Sequence, residues 1–384
     1  MKNILFMHGG GPTAVINASL SGSIRELYDR SFDGDILYAP FGTGGLLKNK
    51  INKFPALSNE DLIKLERTPG SAIGTGRDHL EGDDYDKLAS ILKENNIGYV
   101  VMTGGNGTMD TCRKLSYAAK KHNIVVTGTP KTMDNDLSVT DNSPGFGSAA
   151  RYIAACVREA SEDVLGLPIH ACVIEALGRD AGWVTASAIM AKSGKAPGAD
   201  IILVPEVAFD KDKFLTKVEK IHKEKGGVVI VASEGMRYSD GKPIVEPVFQ
   251  VGRSVYFGDV SSHLSNLIIK ELGIKSRSEK PGILGRASIS WQSDVDRAEA
   301  IACGRVSVKC ALEGKNGYMS VIKRTSSSPY TFEAVESPIL DSILEARTLD
   351  EKYIDKENMF INESFIEYAK PLIGSIGDDF CSFV

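Results

Sequence analysis

The chain has 384 residues, of which 42% are apolar and 25% charged, and its formal net charge is −5. This length suggests two or three domains of about 150 residues each, with the composition of a soluble globular enzyme. The acidic balance argues against nucleic acid as a partner, because proteins that bind it usually present a basic surface.

Export and membrane insertion are not indicated either. Residues 1–11 contain one lysine and a short apolar run, unlike a signal peptide, and no run approaches the roughly 18 apolar residues of a membrane span. The cysteines form no CxxC pair and no zinc-like spacing with histidine. We therefore expect reduced thiols in a cytoplasmic protein, with Cys156 and Cys172 in the core.

Short apolar segments alternate with amphipathic stretches along the chain. The patterns predict strands at 3–8, 98–103, 124–128, 170–177, 200–204 and 227–233. They predict helices at 14–29, 83–95, 108–122, 146–164, 181–193 and 211–225. A loop or an excursion from the fold is expected over 235–258, and a helical tail over the last 45 residues. The alternation predicts an α/β fold with mostly parallel sheets, in which ligands bind at the carboxyl ends of strands.

Two glycine turns follow predicted strands and precede predicted helices. GGGPTA at 9–14 lacks the Gly-Lys-Ser/Thr of a Walker loop, and it is equally consistent with an anion site and with an empty tight turn. TGGNGT at 103–108 is the second candidate. Its Asn106 can hold a phosphate or bind magnesium through the amide oxygen, or it can serve only as a turn asparagine.

The third and most specific motif is PKTMDND at 130–136. One of its carboxylates, Asp134 or Asp136, can accept a hydroxyl proton while the other positions metal or substrate. Lys131 can offset charge on a transferring phosphoryl group. A solvated Asx turn is the alternative. Together with the glycine turns the motif favours phosphoryl transfer, in which catalysis is mostly positioning and charge stabilisation.

Three further charged residues stand beside glycine turns or strand ends. Arg77 ends RTPGSAIGTGR and Arg179 ends EALGR. A guanidinium at such a position can bind a phosphate through two hydrogen bonds, or it can be an ordinary surface charge. Glu234 follows an apolar strand, where its side chain can be a site carboxylate or can cap a helix.

In order and spacing these motifs resemble those of the phosphofructokinase family. The resemblance runs from residue 3 to about residue 375 and includes GGGPTAVINA, TGGNGT, PKTMDND, EALGR and SEGM. RTPGSAIGTGR, DNSPGFGSAARYIA, GRDAGWVTA and YAKPLIG are similar to the pyrophosphate-dependent branch. The resemblance implies two Rossmann-like three-layer α/β domains with mostly parallel sheets, the active site in the cleft between them and a helical C-terminal tail. It implies a donor domain of 1–145 plus about 255–310, a sugar-phosphate domain of 146–254 plus about 311–340, and an extension over 341–384.

The resemblance also implies a reaction and roles by position. The reaction is magnesium-dependent transfer of a phosphoryl group to the 1-hydroxyl of fructose 6-phosphate, giving fructose 1,6-bisphosphate in glycolysis, by a homodimer or homotetramer. Asp134 would be the base. The other implied residues are Lys131, Thr132 and Asp136 for catalysis; Gly11, Arg77, Gly105, Asn106, Gly107 and Thr108 for the donor; Thr132, Asp134, Leu177, Gly178, Arg179, Glu234, Lys280 and Arg286 for the sugar phosphate; and Asn106 and Asp136 for magnesium.

Two positions distinguish ATP from pyrophosphate in the family, and here they disagree. Gly107 leaves room for the rest of a nucleotide, whereas an aspartate there would repel an α-phosphate. Lys131 accompanies pyrophosphate use, but a lysine is long and flexible and can swing aside or pair with a phosphate. From the sequence we therefore favour ATP, with pyrophosphate as the alternative.

The chain departs from the family pattern around the sugar phosphate. The segment 277–289 lacks the familiar G-x-x-Q-R, and Lys280 and Arg286 are its candidate cations. Arg286 is the preferred ligand of the 6-phosphate, with a surface or interface charge as the alternative. Leu177 replaces a methionine of similar volume. The alternative acceptor is therefore another phosphorylated sugar, such as sedoheptulose 7-phosphate.

Two other functional classes are less consistent with the sequence. GFGSAA at 145–150 echoes a dinucleotide turn, but it follows a proline loop rather than a strand and lacks the acidic partner of a dehydrogenase. The intact Lys-Thr-x-Asp-Asn-Asp cluster disfavours a non-catalytic subunit that only senses sugar phosphates.

Overall fold

A computed structural model describes residues 2–192, 196–251, 254–377, 380–381 and 383. Contacts divide the chain into two compact units. Unit 1 comprises Met1–Ser148 and Arg286–Arg347, and unit 2 comprises Ala149–Gly285 and Thr348–Val384. Neither unit is therefore continuous in sequence.

Strands and helices alternate through most of the chain, as an α/β fold requires. The strands are β1 Asn3–His8, β2 Ile36–Tyr38, β3 Asn52–Lys53, β4 Ile97–Gly104, β5 Val125–Pro130, β6 Ala171–Ala176, β7 Ile201–Leu203, β8 Val228–Ser233, β9 Pro247–Val251, β10 Ser254–Phe257, β11 Ser276–Glu279, β12 Tyr318–Ser327, β13 Tyr330–Pro338, β14 Ile354–Asp355 and β15 Phe360–Ile361. The six predicted strands are confirmed, to within two residues at each end.

The α-helices follow the same order. They are α1 Ile16–Asp29, α2 Thr43–Leu47, α3 Asn59–Glu66, α4 Gly82–Glu94, α5 Asn106–Lys120, α6 Phe146–Gly166, α7 Trp183–Ala186, α8 Lys211–Lys225, α9 Val260–Leu272, α10 Ile283–Ala287, α11 Asp294–Leu312 and α12 Ser364–Ile373. Among the described helices, none combines the length and the apolar character that crossing a membrane requires.

Unit 1 is built on a seven-stranded sheet with the order β13-β12-β5-β4-β1-β2-β3. Its central strands are parallel, and antiparallel β3 and β13 form the two edges. Successive residues of β1 face opposite sides of the sheet. Ile4 and Phe6 pack in a core with α1 residues such as Leu20, whereas Leu5 and Met7 pack in another core with α4 and α5. Unit 1 is therefore a three-layer α/β sandwich.

Helices α1 and α11 pack against each other in unit 1 at unusually short range. A Cβ atom built on Gly22 would lie 2.1 Å from the Ile301 carbonyl oxygen, and one on Gly304 would lie 2.0 Å from the Ser19 carbonyl oxygen. Only glycine permits this approach at either position.

Unit 2 is built on a four-stranded sheet with the order β11-β6-β8-β7, in which all neighbouring strands are parallel. Helices α8 and α9 contribute Phe214 and Leu264 to a core that includes Val173 and Ile230 of the sheet. Helix α8 begins where the Asp210 side chain accepts two backbone N–H bonds.

Two predictions about local structure were wrong. The expected loop at 235–258 contains the antiparallel pair β9–β10, because its Gly and Pro content masked two short β-rich runs. The helix expected at 181–193 is divided into α7 and a 3₁₀ helix over Ser187–Ala191, and residue 193 lies outside the described residues.

The predicted domain bounds also differ from the observed division. Strand β12 pairs with β5 of unit 1, so 311–340 does not join unit 2, and β11 pairs with β6, so 255–285 does not join unit 1. The C-terminal segment carries α12, as expected for a helical tail, together with the short antiparallel pair β14–β15. Residues from Thr348 onward group with unit 2 rather than standing apart.

Candidate functional site

The predicted glycine turns of unit 1 lie side by side at one edge of its sheet. Strands β1, β4 and β5 are parallel neighbours, with His8 opposite Thr103 and Gly104 opposite Pro130. The loops that follow these strands therefore emerge together, where ligands of parallel sheets bind.

Thr108, in the first turn of α5, explains two of the glycines. A Cβ atom on Gly9 would lie 2.3 Å from Thr108 Oγ1, and one on Gly104 would lie 2.2 Å from the same atom. The turn before Arg77 contacts the turn after β1, because the Gly10 N–H donates to the Gly76 carbonyl oxygen at 2.9 Å. The glycines thus bring three backbone segments into contact.

Three cationic side chains converge on Gly11. Lys131 Nζ donates to the Gly11 carbonyl oxygen at 2.6 Å. A Cβ atom on Gly11 would lie 2.6 Å from Arg286 Nη1 and 3.3 Å from Arg77 Nη2. Cations at this spacing repel one another unless an anion lies among them, so the cluster is suited to polyphosphate.

The pKa of Lys131 reports the same arrangement. It is lowered from 10.5 to about 8, first of all by burial, while Asp134 and Asp136 act in the opposite direction and Arg286 and Arg77 lower it. Lys131 therefore lies close enough to both aspartates to sense their charge.

The loop after β5 presents Asp134 and Asp136 through a constrained backbone. Asn135 between them has a positive φ of 56°, and its Oδ1 accepts the Ser143 N–H at 2.9 Å. Thr132 Oγ1 accepts the Asp134 N–H at 3.1 Å. Thr132 therefore shapes the loop that carries the catalytic candidates.

Asn106 and Asp136 fit the expected magnesium ligands. Asn106 Nδ2 donates to Asp136 Oδ2 at 2.9 Å, while Asn106 Oδ1 is buried without a hydrogen-bond partner among the described residues. An amide oxygen and a carboxylate are hard oxygen ligands of the kind Mg²⁺ prefers, with phosphates and water completing its shell. Within the described part of the chain, no group of three or more His, Cys, Asp or Glu residues forms a cage for a metal.

Gly107 faces open space, unlike its neighbours. Apart from its chain neighbours and its own helix backbone, no heavy atom of the described residues lies within 4 Å of a Cβ atom built there, whereas one on Gly105 would contact the Lys131 carbonyl oxygen at 3.5 Å. The first turn of α5 thus has room beside it for part of a donor.

The sugar-phosphate candidates of unit 2 are also brought together. Leu177–Arg179 follow β6 and Glu234 follows β8, with Ala176 opposite Ser233 in the parallel register. The Gly178 N–H donates to Glu234 Oε1 at 3.3 Å. A Cβ atom on Gly235 would lie only 1.6 Å from the Arg179 carbonyl oxygen, so the two strand-end turns pack tightly.

The two cations expected from 277–289 lie in different units. Lys280 of unit 2 bonds to Asp259 and lies 3.2 Å from Glu175 Oε1, so two carboxylates offset its charge. Arg286 joins the cations around Gly11 of unit 1. Within unit 1 it therefore lies beside the donor candidates Gly11 and Arg77.

Sequence reasoning missed two residues that support these loops. Asp296 on α11 accepts the Gly145 N–H at 2.7 Å and the Ser148 N–H at 2.9 Å. Arg347 bonds to the loop that carries Asp134. No motif marks either residue, because each lies more than a hundred residues from the backbone it holds.

The comparisons with known proteins cover almost the whole chain. The family model described as Phosphofructokinase matches residues 3–311. A pyrophosphate–fructose 6-phosphate 1-phosphotransferase of Xanthomonas campestris is 35% identical, over 97% of this chain and 91% of that protein. An ATP-dependent 6-phosphofructokinase 3 of Bacteroides thetaiotaomicron is 30% identical, over 85% of this chain and 90% of its own length. The solved structure of a pyrophosphate-dependent phosphofructokinase from Nitrosospira multiformis has a TM-score of 0.89 at 33% identity, covering 100% of this chain and 94% of that one.

Proposed function

Because this chain belongs to the phosphofructokinase family, we propose that it transfers a phosphoryl group from pyrophosphate to the 1-hydroxyl of fructose 6-phosphate. The observation that carries the proposal is the position of Lys131, which is buried and bonded to the Gly11 carbonyl oxygen at 2.6 Å. The preference for ATP rested on Gly107 and treated Lys131 as able to swing aside or to pair with a phosphate. A lysine held in place beside two arginines suits a short, highly charged donor. The Xanthomonas and Nitrosospira proteins, both named for pyrophosphate, support the same choice, whereas the Bacteroides protein is named for ATP.

The residues of unit 1 would divide the chemistry as follows. Asp134 accepts the proton of the sugar hydroxyl as its oxygen forms a bond to the phosphorus. The bridging P–O bond of pyrophosphate breaks, and the phosphate that leaves is stabilised by Lys131, Arg77 and Arg286. The N–H groups of Asn106 and Gly107, at the start of α5, orient the donor oxygens.

Magnesium has a defined place in this proposal. Asn106 and Asp136 would hold it, and the bound ion would neutralise charge on the donor phosphates. For the sugar phosphate we propose Leu177, Gly178, Arg179 and Glu234. Lys280 would contribute little there, because Asp259 and Glu175 already offset its charge. From the family resemblance we further propose a cytoplasmic homodimer or homotetramer.

The second candidate function uses ATP as the donor. It is favoured by Gly107, because a Cβ atom built there has no neighbour within 4 Å among the described residues beyond its own helix backbone and chain neighbours. The two functions share the acceptor, the base and the magnesium ligands, and they differ only in the group beyond the β-phosphate.

Initial rates with fructose 6-phosphate and each donor separately test the proposal. We expect kcat/KM with pyrophosphate to exceed that with ATP by at least about 100-fold, the scale that a few kcal/mol of charge complementarity supplies. Gly107→Asp should remove any residual ATP activity and keep pyrophosphate activity, and Gly107→Asn is the control of equal volume without charge. Turnover with ATP but not with pyrophosphate would replace the proposal by the second candidate.

A further inference from the structure

We propose that Arg347 is a positioning residue that holds the loop of Asp134 and Asp136 in its reactive arrangement. The inference rests on the proposed function, because it assigns the base to this loop. Arg347 lies more than two hundred residues beyond the loop, in the last segment of unit 1.

The contacts of Arg347 span the loop from one side to the other. Its Nη2 donates to the Asn135 carbonyl oxygen at 3.0 Å. Its Nη1 donates to the carbonyl oxygens of Thr140 at 2.7 Å and Asp141 at 3.0 Å. Its backbone N–H donates to the Asp136 carbonyl oxygen at 2.8 Å. One residue thus satisfies four carbonyl groups of the loop.

These contacts matter because the loop has no regular secondary structure of its own over 131–145. Carbonyl groups outside helices and sheets need other partners when they are partly buried. A guanidinium provides donors on separate nitrogens in a fixed plane, so it holds Asn135 from Nη2 and Thr140 from Nη1. The ammonium of lysine carries all its donors on one nitrogen and does not reproduce this spacing.

The link to catalysis is direct along the backbone. Asn135 lies between Asp134 and Asp136 in the sequence. Two of the four bonded carbonyl groups therefore belong to the segment that carries both carboxylates, at Asn135 and Asp136. A displacement of about 1 Å in a catalytic group costs on the order of 100-fold in rate. The four bonds of Arg347 all end on backbone carbonyl groups, so they would act on the two carboxylates through the loop backbone.

The test replaces Arg347 by Gln, Lys and Ala and measures kcat and KM with pyrophosphate. We expect each variant to lose about 10- to 100-fold in kcat with KM changed by less than about threefold, because positioning acts on the transition state. Arg347→Lys should lose as much kcat as Arg347→Gln. Guanidinium ion, at concentrations far below those that unfold the protein, should restore part of the Arg347→Ala activity, whereas sodium chloride of equal ionic strength should not. Arg305→Gln is the matched control, because Arg305 of unit 1 pairs with Glu26 and Asp29 on α1.

Hydrogen exchange separates this inference from the proposed function. Arg347→Gln should speed amide exchange in 133–142 and leave β6 and β8 unchanged, whichever donor the enzyme uses. Unchanged exchange in that loop, full activity with Lys, or a loss of activity that follows only the fraction of unfolded protein would each overturn the assignment. If the wild type uses neither donor while the exchange result holds, the proposed function fails and the structural role of Arg347 stands.

Discussion

At the scale of single residues, Asp134 carries the largest expected effect. Asp134→Asn removes the proton acceptor but keeps the size of the side chain. We expect kcat to fall by about 10²- to 10⁴-fold, the usual contribution of a general base, with little change in the KM for either substrate. Steady-state kinetics with pyrophosphate measures this directly, and Ser138→Ala, at an exposed position of the same loop, is the control that should keep full activity. A fully active Asp134→Asn variant would show that another group takes the proton.

Lys131 gives the enzyme a pH dependence whose sign follows from its pKa. The side chain is charged below about pH 8 and neutral above it. We expect kcat/KM for pyrophosphate to fall as pH rises through about 8, because kcat/KM reports ionisations of the free enzyme, and then to level off because Arg77 and Arg286 still line the site.

Lys131→Met is the control for this profile. It should have a lower kcat/KM for pyrophosphate at neutral pH and should lack the fall that begins near pH 8. If the variant keeps the same profile, the ionisation belongs to the donor itself or to another group.

At the scale of elements, the packing of α1 on α11 gives a prediction about stability. Gly22→Ala and Gly304→Ala each place a methyl group where a carbonyl oxygen lies 2.1 Å and 2.0 Å away, respectively. Overpacking of this kind costs roughly 1–3 kcal/mol or more, so we expect Tm to fall by about 2–12 °C. Scanning calorimetry measures the shift.

Gly82→Ala is the matched control for this pair. Gly82 begins α4 and has no heavy atom of the described chain within 4 Å of a built Cβ atom, so alanine should leave Tm unchanged or raise it slightly. A fall in Tm in the control would contradict the packing argument, and so would an unchanged Tm in the α1 and α11 variants.

The same scale shows what the sequence could predict. Strands such as β1 and β8 were predictable because each is a continuous apolar run, typical of a strand buried on both faces. Strand β12 was missed, because its second half, from Lys323 onward, contains only charged and polar residues. The loop carrying Asp134 was found from its motif, whereas Arg347 was not, since a bond between distant segments leaves no local pattern.

At the scale of the whole molecule, the division of unit 1 into two sequence segments makes a fragment experiment informative. Residues 1–148 alone lack α11 and β12, which leaves the apolar face of α1 and the edge of β5 uncovered. We expect this fragment to show no cooperative thermal transition. The same residues joined by a short flexible linker to 286–347 should show one, measured by circular dichroism, and a cooperative transition in the short fragment would contradict the shared core.

The pairing of β5 with β12 also has a consequence during synthesis on the ribosome. Pro130 ends β5 and Tyr318 begins β12, and at about 5–20 residues per second a ribosome takes roughly 10–40 s to make the chain between them. Throughout that interval the nascent β5 presents bare amide and carbonyl groups to its surroundings, which invites pairing with other chains. Chaperones that bind emerging polypeptides should therefore associate with this protein until residues near 320 leave the exit tunnel.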